Sequence, residues 1–407
     1  MSRRVVLWIA FVVAHAVTAW LGFALPNQPM GDVYRVYEPW SSSALHGGEI
    51  VGITADWVYP QLAMIPMLLT HAIEALVGNY TIAWAVLVTL ADAVAFAVLV
   101  GAGRSAGRSL AAWFWLAAIV ALGPAGMYRL DGLTVPFVIV GSLWLVGRPW
   151  LASIVLSVAT WIKVWPAAVL AAALVVVRRR VALVGGAFVV SAATILAVVA
   201  AGGAAHAFGF VGDQATRGLQ VEAPVAMPYL WGTMAGLPGF QVYFSHDLLT
   251  YQVLGSNLRG VIAAMTPALV VAVVAIWSLG AVQATRGIRF VSLFPPLSLA
   301  LVTAFIVFNK VGSPQYLSWL VPSVVVGLVL DRRAWRRPAL LVLVLSALTQ
   351  AVFPILYAGV LTAQPVPVAL LTLRNALLIV LLVWMVVRIV RLRAPARRHV
   401  LSANAPL

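Results

Sequence analysis

Asp32 lies just beyond the first long apolar run, inside GDVYRVYEPW (31–40), with Tyr34, Arg35, Tyr37, Glu38 and Trp40 around it. An acid beside an apolar span is costly unless it is used or paired, and Arg35 is the partner at hand. The aromatic residues alone would be ordinary interfacial anchors. TADWVYPQL (54–62) adds Asp56 and Tyr59 to the same loop. Two acids in one loop can divide the roles of base and of orienter or hydroxyl acceptor, and Asp56 fits equally well as the cap of a helix beginning near Pro60. MYRLDGLT (127–134) brings Arg129 and Asp131 together, whether as site residues or as a local ion pair. Lys163, in TWIKVWPAAVL (160–170), is the only charge between Arg148 and Arg178. A lone cation between two Trp residues suits an anion such as a phosphate at the lipid surface, with snorkelling as the structural alternative. QATRGLQVEAP (214–224) carries Arg217, Gln220 and Glu222, in a site or in a solvated loop. FNKVGSPQYLSWLVP (308–322) packs Asn309, Lys310, Gln315 and Tyr316 around a turn shaped by Gly312 and Pro314. It is either a phosphate or sugar site or a plain turn with an interfacial anchor.

These residues need apolar helices to position them. The 407-residue chain is 63% hydrophobic and only 9% charged, with a mean hydropathy of +1.03. That composition predicts an all-α polytopic membrane protein of one domain (1–407). Apolar runs at 5–25, 80–102, 109–123, 133–147, 150–162, 164–177, 181–201, 260–284, 290–308, 317–330, 338–356 and 369–391 predict about twelve spans, five of them short. The start MSRR and its apolar run are expected to be a retained span rather than a cleaved signal. The stretch 59–78 is read as a helix lying at the membrane surface, because Pro60, Pro66, His71 and Glu74 interrupt it and a crossing there would invert all later loops.

The charges are sorted by this topology. Nineteen of the 26 Lys and Arg fall in one set of loops, from Arg3–Arg4 to a basic tail at 392–407. The positive-inside rule makes that side, and both termini, cytoplasmic in the cell membrane. Of the 11 acids only Asp331 joins them; Asp92 lies within a span, and the rest lie in outer loops, the longest being 26–79 and 202–259. The formal charge of +15 is therefore topology rather than a nucleic-acid signal. No Cys is present, so disulfides and thiolate ligands are excluded. The sequence holds no phosphate-binding glycine loop, dinucleotide fingerprint or HExxH, and six scattered His show no ligand spacing. No metal and no cofactor is expected.

The order of motifs resembles a known group. It comprises an acid after the first span, an Asp-x-x-Tyr-Pro stretch (56–60), a Lys in a Trp-rich hairpin, Arg-Gly-Leu-Gln-x-Glu (217–222) and Lys-Val-Gly-Ser-Pro-Gln-Tyr (310–316). Over about residues 5–330 the chain resembles the polyprenyl-phosphate-mannose-dependent mannosyltransferases of glycosyltransferase family 87, in the GT-C superfamily. Some relatives carry His after the Ser-Pro pair where this chain has Gln315-Tyr316, so a His-assisted mechanism does not carry over. The resemblance implies a GT-C-like bundle with juxtamembrane helices in its outer loops, and an outer-face active site. It implies that a sugar, mannose in the first instance, moves from a polyprenyl-phosphate donor to a glycolipid or polysaccharide acceptor. Asp32 matches the position of the base. Lys163 and Lys310 are the expected phosphate cations, with Arg129 and Arg217 in support. Tyr37, Glu38, Asp56, Tyr59, Asp131, Gln220, Gln315 and Tyr316 are the expected sugar or acceptor contacts. A transporter or flippase of lipid-linked sugars is the rival class; it would place polar groups at mid-membrane, where this sequence has only Asp92.

Overall fold

A computed structural model describes residues 2–246 and 248–393, without the side chains of 213–216. The tail from 394 on, Asp247 and the Asp213 side chain lie outside the described residues. The chain is mostly helical. Ser2 caps α1 (Arg3–Ala24), its Oγ accepting from the Val5 amide. A helical turn from Gly31 widens into a π-turn (Val33–Tyr37) and continues as α2 (Glu38–Leu45). A 3-10 turn after Pro60 leads into α3 (Met64–Val77), closed by Gly78 at φ 76°. Asn79 caps α4 (Tyr80–Val100) and Ser105 caps α5 (Ala106–Leu122). Then follow α6 (Pro124–Met127), α7 (Leu130–Trp144), α8 (Pro149–Ile162), α9 (Pro166–Val176) and α10 (Arg180–Ala200).

The second long loop carries α11 (Gly209–Thr216), α12 (Met227–Met234) and an antiparallel hairpin, β1 (Gln241–Ser245) and β2 (Thr250–Leu254), with Val242 opposite Val253. The all-α expectation missed this hairpin. QVYFS and TYQVL are short alternating runs of β-branched and aromatic residues, the strand signature, inside a loop set aside as irregular. The remaining helices are α13 (Leu258–Thr285), α14 (Phe290–Val307), α15 (Leu320–Leu330), α16 (Arg332–Gln350), α17 (Tyr357–Leu361) and α18 (Pro365–Val390).

Among the described residues seven helices are long and apolar enough to cross a membrane: α1, α4, α10, α13, α14, α16 with its continuation to Ile355, and α18. The chain is thus built as a membrane protein, with α5, α7, α8, α9, α15 and the Gln61–Val77 stretch as shorter apolar helices. Among these, α7, α9 and α15 leave no residue exposed. α15 is buried along nearly its whole length and α14 packs on α9, α13, α15 and α18, whereas α13 leaves most of its surface exposed. Gly141 and Gly186 have no side chain where α7 and α10 close on α8, the usual device for helix approach in lipid.

Polar and basic groups lie at opposite ends. Arg4 beside Gly103, Arg108 donating to the Val98 and Leu99 carbonyls, and Arg388 over the Trp335 ring mark one end. Asp32, Arg129, Lys163 and Lys310 mark the other.

One buried polar pair ties the interior. His15 Nδ1 lies 2.9 Å from the Phe11 carbonyl, so it carries a hydrogen. His15 Nε2 is 3.0 Å from Asp92 Oδ2, so one further proton sits on that bond and the pair is neutral overall. It clasps α1 to α4. His15→Leu would strand a carboxyl group among apolar helices, at a cost of about 3–5 kcal/mol. The expected result is a clearly lower thermal midpoint in detergent, largely recovered by His15→Leu/Asp92→Leu. Equal midpoints for the parent and the single variant would show that the clasp contributes nothing.

Candidate functional site

The wide turn at 33–37 decides how Asp32 is presented. Val33 and Tyr37 turn inward and are buried, while the Asp32 carboxylate stays 37% exposed at the rim. π-turns are frequent at functional sites, since the extra residue re-aims its neighbours. Tyr37 packs on Trp84 (4.9 Å), and its hydroxyl accepts from the Leu130 amide at 3.3 Å. The first loop is thereby keyed onto the start of α7. There Arg129 is the N-cap and Asp131 sits in the first turn, where the helix dipole favours an anion.

Two ion pairs follow. Arg129 Nε is 3.2 Å from Asp32 Oδ2. Lys163 Nζ, at the C-cap of α8, is 3.5 Å from Asp131 Oδ2 and 4.3 Å above the Tyr59 ring. Asp131 Oδ1 accepts from Trp319 Nε1 at 2.6 Å, and Trp165 donates to Thr134 Oγ1 at 3.0 Å. Trp165, Trp319 and Tyr316 stack in succession, at 5.7 Å and 4.1 Å, as an aromatic floor. Burial is the largest single influence on the Lys163 ammonium and disfavours it, but Asp131, Tyr59, Tyr316 and Asp32 together outweigh burial and hold the group charged. On Arg129 burial is likewise the largest influence, and Asp32, Tyr37, Tyr59 and Asp131 together overcome it.

Both pairs are held by charge rather than by well-aimed hydrogen bonds. Arg129 Nε, Asp131 Oδ2 and Arg217 Nε are buried atoms with no hydrogen-bond partner among the described residues. The charge of Arg217 is felt at Tyr316, as are those of Lys163 and Asp131. The site therefore gathers Asp32, Tyr37, Tyr59, Arg129, Asp131, Lys163, Arg217 and Tyr316, and keeps unused N–H donors on two guanidinium groups. Buried donors of this kind fit an anion.

Several sequence readings need correction. The partner of Asp32 is Arg129, not Arg35, which is exposed and lies over Tyr34. Arg129 and Asp131 do not form a local pair, because each faces a different element. Asp56 is 64% exposed and bonds His206 Nδ1 at 2.7 Å, fastening the two long loops together. Nor does Asp56 cap the turn that follows, whose N-cap is Pro60. Glu38 stands with Glu74 and His71; burial first, and then Glu74, push its carboxyl upward. Gln220 is buried, donates its amide to the Lys310 carbonyl at 3.0 Å and bridges Gln252. Lys310 is buried beside that strand, and burial pushes its ammonium down. Gln315 is buried too, its carbonyl accepting from Ser318 Oγ at 2.8 Å.

No family model, curated protein or solved structure matches this chain. The structure adds one site residue that the motifs did not flag, Trp319, and places two charged residues where the sequence did not show them. Trp319 makes the shortest bond to Asp131, yet in the sequence it looks like any interfacial Trp. Glu222 is buried on Arg374 rather than solvated, and Arg374 is itself buried within α18.

Gly312 is where the 308–314 turn meets the second loop. A Cβ there would collide with the backbone of Glu222 and Ala223. Gly312→Ala is expected to push the Lys310 turn off the Gln220 strand and cut activity at least tenfold at near-normal expression. Unchanged activity would show that the two segments need not touch.

Proposed function

We propose that this chain is a membrane glycosyltransferase that moves a sugar, mannose in the first instance, from a polyprenyl-phosphate donor to a glycolipid or polysaccharide acceptor. The observation that carries the reading is the cluster itself: one rim carboxylate beside two buried cations, with further guanidinium donors left over. The donor's phosphate leaves as a stable anion, so the site needs cations and one base rather than a strong acid. Asp32 takes the proton from the acceptor hydroxyl as that oxygen bonds to the anomeric carbon. The bond from that carbon to the phosphate oxygen breaks, and polyprenyl phosphate departs against Arg129, Lys163 and Arg217. A single displacement inverts the centre, so a β-linked donor gives an α-linked product. Asp131 positions Lys163, and the Tyr316–Trp319–Trp165 stack forms the floor for the sugar. Lys310, Gln220 and Gln315 are proposed as supports of that wall.

An apolar hollow is proposed for the donor chain. A cavity of about 230 Å³ lies between the 50–68 segment and the end of α10, lined by Ile50, Val51, Leu62, Ile65, Leu68 and Val198. Its lining is apolar and suits a prenyl tail. The sorting of charges supports a topology with both termini and the basic end in the cytoplasm and the site on the outer face. The five short helices then complete twelve crossings in a GT-C-like bundle with α2 and α3 at its outer surface. The rival flippase reading would use mobile polar groups at mid-membrane; the deep pair His15–Asp92 instead bonds across two helices, with Asp92 Oδ1 left without a hydrogen-bond partner among the described residues.

The discriminating experiment incubates purified protein in nanodiscs with polyprenyl-phosphate-[³H]mannose and envelope glycolipids. Label moving onto an acceptor supports the reading. Intact donor that crosses a proteoliposome membrane without transfer favours the flippase.

A further inference from the structure

The basic end of the bundle gathers its cations from three helices onto one corner. Asp331 is the only Asp or Glu in residues 248–407, and its Oδ1 accepts from the Ala334 amide at 3.1 Å as the cap of α16. Arg332, Arg333, Arg336 and Arg337 follow in the first turns of α16, and all four are exposed. Trp335 among them turns inward; it is buried, and its ring fills the space beside Gly327 of α15. Arg388 of α18 lies 4.8 Å above that ring and donates to the Ala334 carbonyl at 3.2 Å. It fastens the end of α18, with exposed Arg391 and Arg393, to the start of α16. Gln283 Nε2 donates to the Ile389 carbonyl at 2.7 Å and the Val390 carbonyl at 3.2 Å. The end of α13, with exposed Arg286, therefore joins the same corner.

Orientation asks only for cations in a loop; it does not ask for arginines from three helices held side by side. Like charges gathered in this way repel one another until an anion lies among them. The planar fork of each guanidinium grips a phosphate through two of its oxygens. The adjoining surface selects a lipid over a soluble polyanion. Arg333, Arg337, Leu340 and Val344 share one face of α16, since each lies three or four residues beyond the last. Leu340 is 63% and Val344 41% exposed, so an apolar stripe runs directly on from the cations. We infer that this corner binds the headgroup of an anionic phospholipid bearing two phosphates. One phosphate meets the arginines of α16 and the other those of α18, and the acyl chains lie along Leu340 and Val344. Basic pockets between transmembrane helices take headgroups of this kind. The inference is independent of the proposed reaction.

The test gives the purified, delipidated protein tetraoleoyl cardiolipin or, at equal total charge, dioleoyl phosphatidylglycerol. Native mass spectrometry reads the bound lipid, and the thermal midpoint is followed in parallel. Cardiolipin is expected to bind on the order of tenfold more tightly than phosphatidylglycerol and to raise the midpoint. Arg333→Gln/Arg337→Gln and Arg391→Gln/Arg393→Gln each remove two exposed cations and should each weaken cardiolipin binding on the order of tenfold. Their lipid-free midpoints should equal that of the parent, which separates lost binding from lost folding. Arg178→Gln/Arg179→Gln removes two exposed arginines between α9 and α10 and should leave binding unchanged. Equal binding of the two lipids, or parental binding of cardiolipin by either pair of variants, overturns the inference. So does an equal loss in the Arg178 and Arg179 control, which would make the effect one of total charge.

Discussion

Asp32→Asn should lower sugar transfer by about 10²- to 10⁴-fold, the range a positioned general base contributes, while donor binding is retained or improved. The reasoning starts from the ion pair. In the free protein Arg129 Nε stands 3.2 Å from Asp32 Oδ2, without a well-aimed hydrogen bond. The Asn side chain keeps the shape and removes the negative charge. It cannot take the acceptor's proton, and it no longer competes with the donor phosphate for Arg129. Only a base in this position predicts that split: a fall in kcat with KM for the donor unchanged or lower. Asp32 is 37% exposed but its partner Arg129 is buried, so the thermal midpoint of the variant is measured beside its turnover. A well-expressed variant with undiminished turnover would remove Asp32 from the chemistry.

Lys163→Met is expected to have the second large effect, and it has two causes that must be separated. Lys163 lies over the Tyr59 ring and against Asp131, and losing it should weaken phosphate departure by about 10²- to 10³-fold, as for other preorganised charge stabilisers. Yet its partner Asp131 is only 1% exposed, and an uncompensated carboxylate there costs about 3–5 kcal/mol. The single variant therefore confounds folding with catalysis. Lys163→Met/Asp131→Asn removes both charges and leaves the Trp319 bond an acceptor. The double variant should recover the thermal midpoint and remain deficient in transfer. If it recovers both, Lys163 served the fold only; if it recovers neither, Asp131 has a function of its own.

Much of the scaffold was legible in the sequence. The predicted spans coincide closely with the helices: 80–102 with Tyr80–Val100, 181–201 with Arg180–Ala200 and 290–308 with Phe290–Val307. Long apolar runs bounded by Asn79, Gly101 or Pro365 carry both their length and their ends in local chemistry. Turning 59–78 into a helix after Pro60 was legible for the same reason. The hairpin at 241–254 was not, because short alternating strands leave a weak signal among turn residues.

For the site, the residue types were legible and the pairings were not. Asp32, Arg129, Asp131 and Lys163 could all be singled out, because a charge beside an apolar span needs a reason. That Asp32 meets Arg129 rather than Arg35 depends on how α1, the wide turn and α7 pack, which no local spacing encodes. The partner of Asp56 was hidden for a related reason. The place of Asp56 beside Tyr59 suggested the site, but the return of the chain at His206 supplies its partner. Glu222 and Arg374 are 152 residues apart in sequence, and only the packing of the second loop on α18 brings them together.

The most direct test of the central claim is a cryo-EM reconstruction of the protein in nanodiscs with a polyprenyl-phosphate sugar bound. The account predicts the phosphate within about 4 Å of Lys163 Nζ and of the Arg129 guanidinium, with the sugar over the Tyr316–Trp319 stack and the anomeric carbon open toward Asp32. A donor phosphate held at the opposite, basic end, or a donor lying at mid-membrane near His15 and Asp92, would contradict it.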